Sequence, residues 1–418
     1  MDPRLRRDVA WNLVPVVLLG VVGLGLNFII GKWWGAAALG VFNQVTTAFF
    51  VISVLGAGGL QYSVLRAVAE APEDRERVGA VVVGALVPAC VFALAATGAF
   101  ILIAPAVGRL LDSPEVAVGM RWAAPGLVCF SLNKVLFGVV NGLRRMRAFA
   151  VYTSLRYLFI ATGLVLARMF EATPEQLPVI WTFTEGALLL VLVGELFATV
   201  ALTRCAGWMR WARTHLAFGI RGVASTLAFE LNSKLDVWIL GVVYNDASIG
   251  VYSLASVLAE GVMQLGVVVQ NNVNPLLAKA HASGDTAAMQ TLVTRTRKWF
   301  VPALAVCCVL GAVCYPYVIP ALIGDAAFAD GAPAFAILVA GIALASPWLP
   351  FSQVLLMTSR PGWHTVLVLI IAALNFVGNV LLIPVMGMEG AATATAITLV
   401  LSMLLLVRIA RARAGVKL

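Results

Sequence analysis

Twelve apolar segments, each about 20 residues or longer, follow one another along the chain. A helix needs about 20 apolar residues to cross the hydrocarbon core of a bilayer, whereas a barrel strand needs only about ten of alternating polarity. The segments are 10–31, 39–60, 79–104, 120–141, 150–169, 178–203, 218–243, 249–275, 299–323, 333–357, 364–384 and 390–410. Their lengths predict an all-α polytopic membrane protein with about twelve transmembrane helices and short loops.

The composition excludes a soluble globular protein and a disordered one. Of the 418 residues, 61% are hydrophobic and 12% are charged, whereas soluble domains carry roughly 45–50% apolar and about 25% charged residues. No Gly-x4-Gly-Lys-Ser/Thr sequence occurs, which excludes ATP hydrolysis by a P-loop. Membrane enzymes that act on sugars usually hold them in a sizeable loop or soluble lobe. Because no such segment is present, we expect the chain not to be an enzyme.

The basic residues are distributed unequally between the two sets of loops. The net charge is +9, and the cations lie in short runs between apolar segments, which argues against a nucleic-acid-binding face. Counting alternate loops gives 21 Lys and Arg on one side and four on the other. Cytoplasmic loops carry the excess of positive charge, so we expect both termini on the cytoplasmic side of the membrane.

A weak internal repeat divides the chain into halves. A shift of 210 residues aligns 29–31 with 239–241 and 40–42 with 250–252. Six spans lie between equivalent positions, and because six is even the two halves share one orientation, which is a parallel repeat. We therefore predict a six-helix bundle over 1–203, a cytoplasmic interfacial linker over 204–217 and a second six-helix bundle over 218–418.

Charged residues inside the apolar segments are the main functional signal, because such residues are energetically expensive and by default mark a transport pathway. They are Lys134, Arg156, Glu185, Glu195, Arg221, Glu230, Lys234, Asp236 and Glu260. From the span centres, Lys134 and Arg156 both lie within about 5 Å of the midplane. Two cations at one depth could clamp a phosphate or pyrophosphate. Private pairing of each cation with Glu185 or Glu195 is an equally open alternative.

The seventh segment carries polar residues on two faces. Glu230 and Lys234 are spaced i, i+4 for an ion pair, while Arg221 and Asp236 share the opposite face. Such a helix should line the gap between the two halves, although a purely structural Glu230–Lys234 pair remains an alternative. The candidate substrate-binding cations are therefore Lys134, Arg156, Arg221 and Lys234.

Nothing in the sequence indicates a metal or an organic cofactor. The histidines His215, His281 and His364 fall at segment ends or in loops, where we expect them to be hydrated. The six cysteines show no Cys-x-x-Cys pair, and five lie in apolar runs as small apolar residues.

Several stretches resemble bacterial polysaccharide flippases. They are 34–42 (WGAAALGVF), 235–241 (LDVWILG), 249–255 (IGVYSLA), 374–384 (LNFVGNVLLIP) and 387–395 (GMEGAATAT). Together they are similar to the oligosaccharide flippase branch of the multidrug/oligosaccharidyl-lipid/polysaccharide exporter superfamily. The resemblance covers all twelve segments, and the twelve spans argue against the fourteen-span lipid II flippases of that superfamily.

The resemblance implies two six-helix bundles around a central cavity and the movement of polyprenyl-pyrophosphate-linked oligosaccharides from the cytoplasmic to the periplasmic leaflet. Asp236 matches the acidic position of the family's seventh span. An ion gradient would supply the energy, with Glu230, Asp236 or Glu260 binding H⁺ or Na⁺. The expected partners are the lipid-linked oligosaccharide, the bilayer and enzymes of polysaccharide assembly such as a polymerase or glycosyltransferases.

Two other classes of function remain open. A multidrug or cation antiporter of the same superfamily would need a cavity richer in acidic and aromatic residues than in cations. A non-transporting scaffold of a polysaccharide assembly complex is a remoter alternative, and the buried charges argue against it.

Overall fold

The structure is a computed structural model that describes the backbone of residues 3–200 and 205–416. Side chains are described from residue 22 onward, except at 224, 225, 228, 229, 232–234, 361 and 414. The α-helices are α1 (Pro3–Ala57), α2 (Leu60–Ala69), α3 (Arg75–Leu110), α4 (Pro114–Gly142), α5 (Met146–Met169), α6 (Val179–Thr199), α7 (Trp208–Val243), α8 (Asp246–Ala282), α9 (Thr286–Ile323), α10 (Ala332–Ala345), α11 (Val354–Met357) and α12 (Pro361–Ala414). Short 3₁₀ turns lie at Pro174–Gln176, Ala326–Gly331 and Leu349–Phe351.

The first helix reverses its direction at Gly35. This glycine has φ 87° and ψ 177°, a conformation that a residue with a Cβ rarely adopts. Asn43 donates a 3.0 Å hydrogen bond to Asn27 across a separation of 16 residues, although that separation would be about 24 Å along a straight helix. The two halves of α1 therefore run back to back, and they correspond to the first two predicted spans.

The last helix reverses in the same way at Gly387, which has φ 60° and ψ −130°. A Cβ placed on Gly378 would lie 3.1 Å from the Cβ of Ala394, so positions on either side of Gly387 are in contact. The two halves of α12 correspond to the predicted spans 364–384 and 390–410.

Within the described residues, nine helical segments are long and apolar enough to cross a membrane. Two of them, Val22–Ala57 and Gly362–Arg413, contain the reversals at Gly35 and Gly387, so each of these two includes residues of two predicted spans. The remaining predicted span, 218–243, lies within α7. The predicted all-α polytopic architecture with about twelve spans is confirmed.

Polar side chains set the starts of several helices. Asp74, Ser113, Asn245 and Asp285 each accept a hydrogen bond from the backbone N–H three residues later, at the first turns of α3, α4, α8 and α9. Such caps satisfy N–H groups that have no partner within the helix. The short loops between spans therefore contain the signals that end one helix and begin the next.

The chain divides into two compact units, Met1–Leu231 and Asn232–Leu418. The division falls within α7, beyond the linker predicted at 204–217, and residues 201–204 of that region lie outside the described part. The boundaries given above for the two bundles and their linker stay a prediction. In the first unit, α4 packs against α1, α2, α3 and α6, which makes it the central helix there.

The predicted span 333–357 is not one continuous helix in the second unit, so the expectation of a single helix was wrong. The helix α10 ends at Ala345, and a 3₁₀ turn and α11 follow. Pro347 and Pro350 lack the N–H groups that would continue the helix. Neighbouring side chains supply hydrogen bonds there: Asn274 donates to Gln353 Oε1 at 2.9 Å, and Arg297 Nε donates to the Pro347 carbonyl at 2.8 Å.

Candidate functional site

One face of α4 carries four residues of different chemistry. Phe130, Asn133, Lys134 and Phe137 are spaced i, i+3, i+4 and i+7, which places them on one side of a helix. Asn133 is fully buried, whereas Lys134 and Phe137 are partly exposed. The face thus presents an amide and an ammonium between two aromatic rings.

Lys134 extends from this face toward α1. Its Nζ donates a 3.0 Å hydrogen bond to Ser53 Oγ and lies 4.7 Å from the centroid of the Phe130 ring. The Ser53 hydroxyl in turn donates to the Phe50 carbonyl at 2.6 Å. The described contacts of the ammonium are therefore a neutral hydroxyl and an aromatic face.

Arg156 on α5 forms an ion pair with Glu185 on α6. Arg156 Nε lies 2.9 Å from Glu185 Oε1, and Arg156 Nη2 donates to Oε2 at 3.0 Å. The Glu185 side chain has no exposed area, while that of Arg156 is 20% exposed. Asn133 Nδ2 donates to both Oε2 and the backbone carbonyl of Glu185, each at 2.9 Å. The buried carboxylate is thus paired and hydrogen-bonded, as a charge at such a position must be.

The guanidinium of Arg156 also contacts two aromatic rings. Its Cζ lies 5.1 Å from the centroid of Phe130 and 5.1 Å from that of Phe137. Because Lys134 and Arg156 both contact Phe130, the two cationic groups lie no more than about 10 Å apart. We call Lys134, Arg156, Glu185, Asn133 and Phe130 the cationic cluster. The two cations predicted to share one depth therefore lie beside the same phenyl ring.

Both pairing partners considered from the sequence are engaged. Glu185 holds Arg156, and Glu195 pairs with Arg145 and accepts a 2.8 Å hydrogen bond from Tyr152. Arg156 is therefore paired with a glutamate, as one of the two alternatives predicted, whereas Lys134 donates its described hydrogen bond to the Ser53 hydroxyl. Glu195 belongs to a separate contact between the start of α5 and the end of α6.

The α7 candidates are only partly described. Arg221 is exposed and Glu230 is half-buried. The Glu230 carboxylate is close enough to Lys134 to interact electrostatically with its ammonium group. The side chain of Lys234 lies outside the described residues, so the predicted Glu230–Lys234 pair does too. The roles assigned to Arg221, Glu230 and Lys234 stay predictions.

In the second unit, Asp236 is 8% exposed and takes hydrogen bonds from neutral donors. The Tyr252 hydroxyl donates to Asp236 Oδ2 at 2.7 Å, and the Val237 N–H donates to Oδ1 at 2.9 Å. Tyr252 is itself fully buried. Glu260, the other acidic candidate of this unit, is exposed. Of these two acidic candidates, Asp236 is the buried one, and its role in ion coupling stays a prediction.

His215 differs from its expected hydrated state. It is fully buried, its Nδ1 lies 2.7 Å from Ser63 Oγ on α2, and its Nε2 lies 3.2 Å from the Val81 carbonyl on α3. Its ring stacks on Trp211. The expectation failed because the first turns of α7 pack against α2 and α3, and sequence position alone does not reveal that packing.

Sequence reasoning also missed the residues that complete the two polar sites. It did not single out Asn133, Ser53 or the aromatic neighbours of the cations, and it did not connect Tyr252 with Asp236. A usable signal was present for α4, where Asn133 and the two phenylalanines repeat at helical spacing around Lys134. Tyr252 follows Asp236 by 16 residues across a helix boundary, and no local pattern links such a pair.

Comparison with known proteins supports the same class of protein. A probable low-salt glycan biosynthesis flippase of Haloferax volcanii is 19% identical over 397 residues, which cover 94% of this chain and 81% of that protein. The structure is similar to the lipid II flippase MurJ in an inward closed conformation, with a TM-score of 0.77, 14% identity and coverage of 96% of this chain and 87% of MurJ.

An inward-facing multidrug resistance MATE transporter of the MOP superfamily has a TM-score of 0.72 and 14% identity, with coverage of 97% and 98% of the two chains. These likenesses confirm the two-bundle transporter fold and do not by themselves distinguish lipid from drug substrates. The model of the family described as polysaccharide biosynthesis protein matches residues 5–281, which is more than half of the sequence. The chain therefore belongs to the polysaccharide biosynthesis protein family.

Proposed function

We propose that this multi-pass membrane protein is a flippase for polyprenyl-pyrophosphate-linked oligosaccharides. It moves them from the cytoplasmic to the periplasmic leaflet of the bacterial inner membrane during synthesis of a cell-surface polysaccharide. Family membership, the glycan flippase among its relatives and the fold shared with MurJ support this assignment. The expected role is transport and not catalysis.

The cationic cluster is the observation that carries the proposal. A pyrophosphate cannot cross about 30 Å of hydrocarbon unaided, and it needs cations with donors that are still able to bind its oxygens. Lys134 supplies an ammonium whose described hydrogen-bond partner is the Ser53 hydroxyl, and Arg156 supplies a guanidinium fork. Arginine binds phosphate oxygens bidentately, while lysine acts as a point charge. Arg221 and Lys234 are retained as further candidate contacts of the head group.

Energy coupling is proposed at a carboxylate. Asp236, Glu230 and Glu260 are the candidates for binding H⁺ or Na⁺, and the burial of Asp236 favours it over the exposed Glu260. No organic cofactor is required by this scheme. The lipid-linked substrate would be delivered by glycosyltransferases, and a polymerase would consume the flipped product.

The multidrug antiporter is the second candidate, because MATE transporters share the fold. The cations Lys134 and Arg156 disfavour it, since they would repel the cationic compounds that such antiporters often carry. The same liposomes can therefore test both functions.

The decisive experiment reconstitutes the purified chain in liposomes that contain a polyprenyl-pyrophosphate-linked oligosaccharide with a fluorescent sugar. We expect the sugar to become accessible to an external glycosidase faster than in protein-free liposomes. Ethidium accumulation in matched liposomes should stay at the protein-free level. Ethidium transport without movement of the oligosaccharide would replace the flippase assignment with the antiporter.

The orientation can be tested separately in a background that lacks the six native cysteines. With both termini cytoplasmic, Asp246→Cys should react with an impermeant thiol reagent added to intact cells, and Ser283→Cys should not. Asp246 begins α8 and Ser283 follows its end, so the two sites report opposite sides. The reverse labelling pattern would invert the proposed topology.

A further inference from the structure

Glu185 is the most deeply buried charged group of the cationic cluster, and the proposal above gives it no task. Its carboxylate lies at the meeting point of three helices, with Asn133 from α4 and Arg156 from α5 both donating to Oε2. Asn133 also donates to the Glu185 backbone carbonyl. The carboxylate and the backbone that carries it are therefore both fixed by the same amide.

The contacts with Glu185 use one particular edge of the Arg156 guanidinium. Oε1 and Oε2 face Nε and Nη2, which leaves the Nη1 end outside this pair of contacts. The rings of Phe130 and Phe137 contact the same guanidinium, and 20% of the Arg156 side chain is exposed. A guanidinium held on one edge and against two rings has little rotational freedom left.

Two physical effects of Glu185 on anion binding oppose each other. A negative charge beside an anion site opposes anion binding, so removal of Glu185 should strengthen the binding of pyrophosphate if only charge matters. An arginine that is free to rotate must instead lose side-chain entropy when a ligand immobilises it, which weakens binding. The two effects have opposite signs and can be separated by measurement.

We propose that Glu185, held by Asn133, is a positioning residue that orients Arg156 so that its Nη1 end meets the substrate's pyrophosphate beside Lys134. This inference rests on the proposed function, because it assumes that Arg156 contacts the pyrophosphate. Glu185 itself does not touch the substrate. Its contribution is to remove the orientational freedom of Arg156 before the ligand arrives.

The test measures binding of inorganic pyrophosphate to the full-length protein in nanodiscs of uncharged lipid. The amount bound is normalised to the amount of folded, monodisperse protein. We expect Glu185→Gln to weaken binding about three- to tenfold, the cost of ordering one long side chain, although the variant is more positive than the wild type. Glu195→Gln is the matched control, since it breaks an ion pair on the same helix away from the cluster, and it should bind as the wild type does.

The possible outcomes separate this inference from the proposed function. If the wild type binds pyrophosphate and Arg156→Ala does not, the proposed role of Arg156 stands. Unchanged or tighter binding by Glu185→Gln would then overturn the positioning role alone. If the wild type itself fails to bind, or Arg156→Ala binds equally well, the pyrophosphate site is wrong.

Asn133→Ala provides a second variant that keeps every charge of the cluster. It removes the two hydrogen bonds that Asn133 donates to Glu185 and should weaken binding in the same direction by about twofold to tenfold. If Glu185→Gln does not yield folded protein, this variant decides the question. Wild-type affinity in folded Asn133→Ala would contradict the positioning role.

Discussion

The two compact units bury charge in different ways. In the first, the cations Lys134 and Arg156 gather around a shared phenyl ring, with a single carboxylate holding Arg156. In the second, the described contacts of the carboxylate Asp236 come from a neutral hydroxyl and a backbone amide. The first arrangement suits an anionic ligand, whereas the second suits a proton or a small cation that can come and go.

This difference suggests a division of labour within the transporter. Anion recognition depends on fixed donors, because preorganised hydrogen bonds lose the least free energy on binding. Coupling depends on a carboxylate that can exist in two charge states, because a group locked in an ion pair strongly prefers one of them. Substitutions in the two units should therefore impair different steps.

The largest effect is expected in the first unit. Arg156→Ala should reduce oligosaccharide export by about ten- to a hundredfold per molecule in the membrane, because a charge-assisted hydrogen bond contributes roughly 1.5–3 kcal/mol. Arg156→Lys keeps the charge but loses the fork and should retain partial export. The measurement is surface glycan normalised to the amount of inserted protein.

The matched control is Arg145→Ala, which breaks the ion pair with Glu195 at the exposed start of α5. It should leave normalised export near the wild-type value. If Arg156 only neutralises Glu185, the alanine variant will instead lose membrane abundance and export normally per molecule. That result would remove Arg156 from the substrate site.

The second unit should give a different defect. Asp236→Asn removes the buried titratable charge while keeping the size of the side chain, so the stimulation of transport by an imposed ion gradient should disappear. Binding of pyrophosphate should persist, because the cationic cluster is intact. Liposomes with and without a proton or sodium gradient measure the first quantity.

Glu260→Gln serves as the comparison for Asp236→Asn, since Glu260 is exposed. We expect gradient stimulation to persist in Glu260→Gln. Loss of stimulation in Glu260→Gln with retention in Asp236→Asn would assign coupling to the other carboxylate. Loss of pyrophosphate binding in Asp236→Asn would contradict the division of labour between the units.

The sequence predicted the spans and a common depth for the two cations, because both follow from patterns along single helices. Segment length located both halves of α1 and of α12, which run in opposite directions on either side of Gly35 and Gly387. Depth from span centres placed Lys134 and Arg156 at one level. These quantities depend on spacing alone.

What the sequence could not predict depends on contacts between helices. It left Glu185 and Glu195 as equal partners for the cations, since choosing between them requires the packing of α4, α5 and α6. The partnership of Asp236 with Tyr252 has the same origin. The break after Ala345 had a local signal in its two prolines, but prolines also occur inside continuous helices of this chain, such as Pro125 in α4.

A smaller effect is expected for Tyr252→Phe, beside the proposed coupling carboxylate Asp236. The substitution removes the 2.7 Å hydrogen bond to Asp236 but leaves the carboxylate, so gradient stimulation should weaken and not vanish. The loss of one hydrogen bond, about 0.5–1.5 kcal/mol, corresponds to roughly a twofold to tenfold reduction in the stimulated rate.

Tyr315→Phe is the matched control for Tyr252→Phe in the same unit. Tyr315 is also buried, and within the described part of the chain its hydroxyl has no hydrogen-bond partner. Removal of that hydroxyl should leave gradient stimulation unchanged. Equal losses in the two variants would show that Tyr252 acts through packing and not through Asp236.

The smallest expected effect concerns stability and not transport. His215 lies before the span predicted from residue 218, and burial lowers its pKa below the usual 6.5, against the opposing effect of the Val81 carbonyl. Below pH about 6.5 the unfolded chain therefore binds the proton more readily than the folded one. The stability contributed by the neutral ring is complete above that pH and is lost as the pH falls toward the lower pKa of the folded state.

We expect the melting temperature of the purified protein to decline between pH 7 and pH 5, and the decline to be smaller in His215→Gln. His281→Gln, at the partly exposed end of α8, should retain the wild-type profile. A decline of equal size in His215→Gln would show that other groups set the acid sensitivity of the first unit.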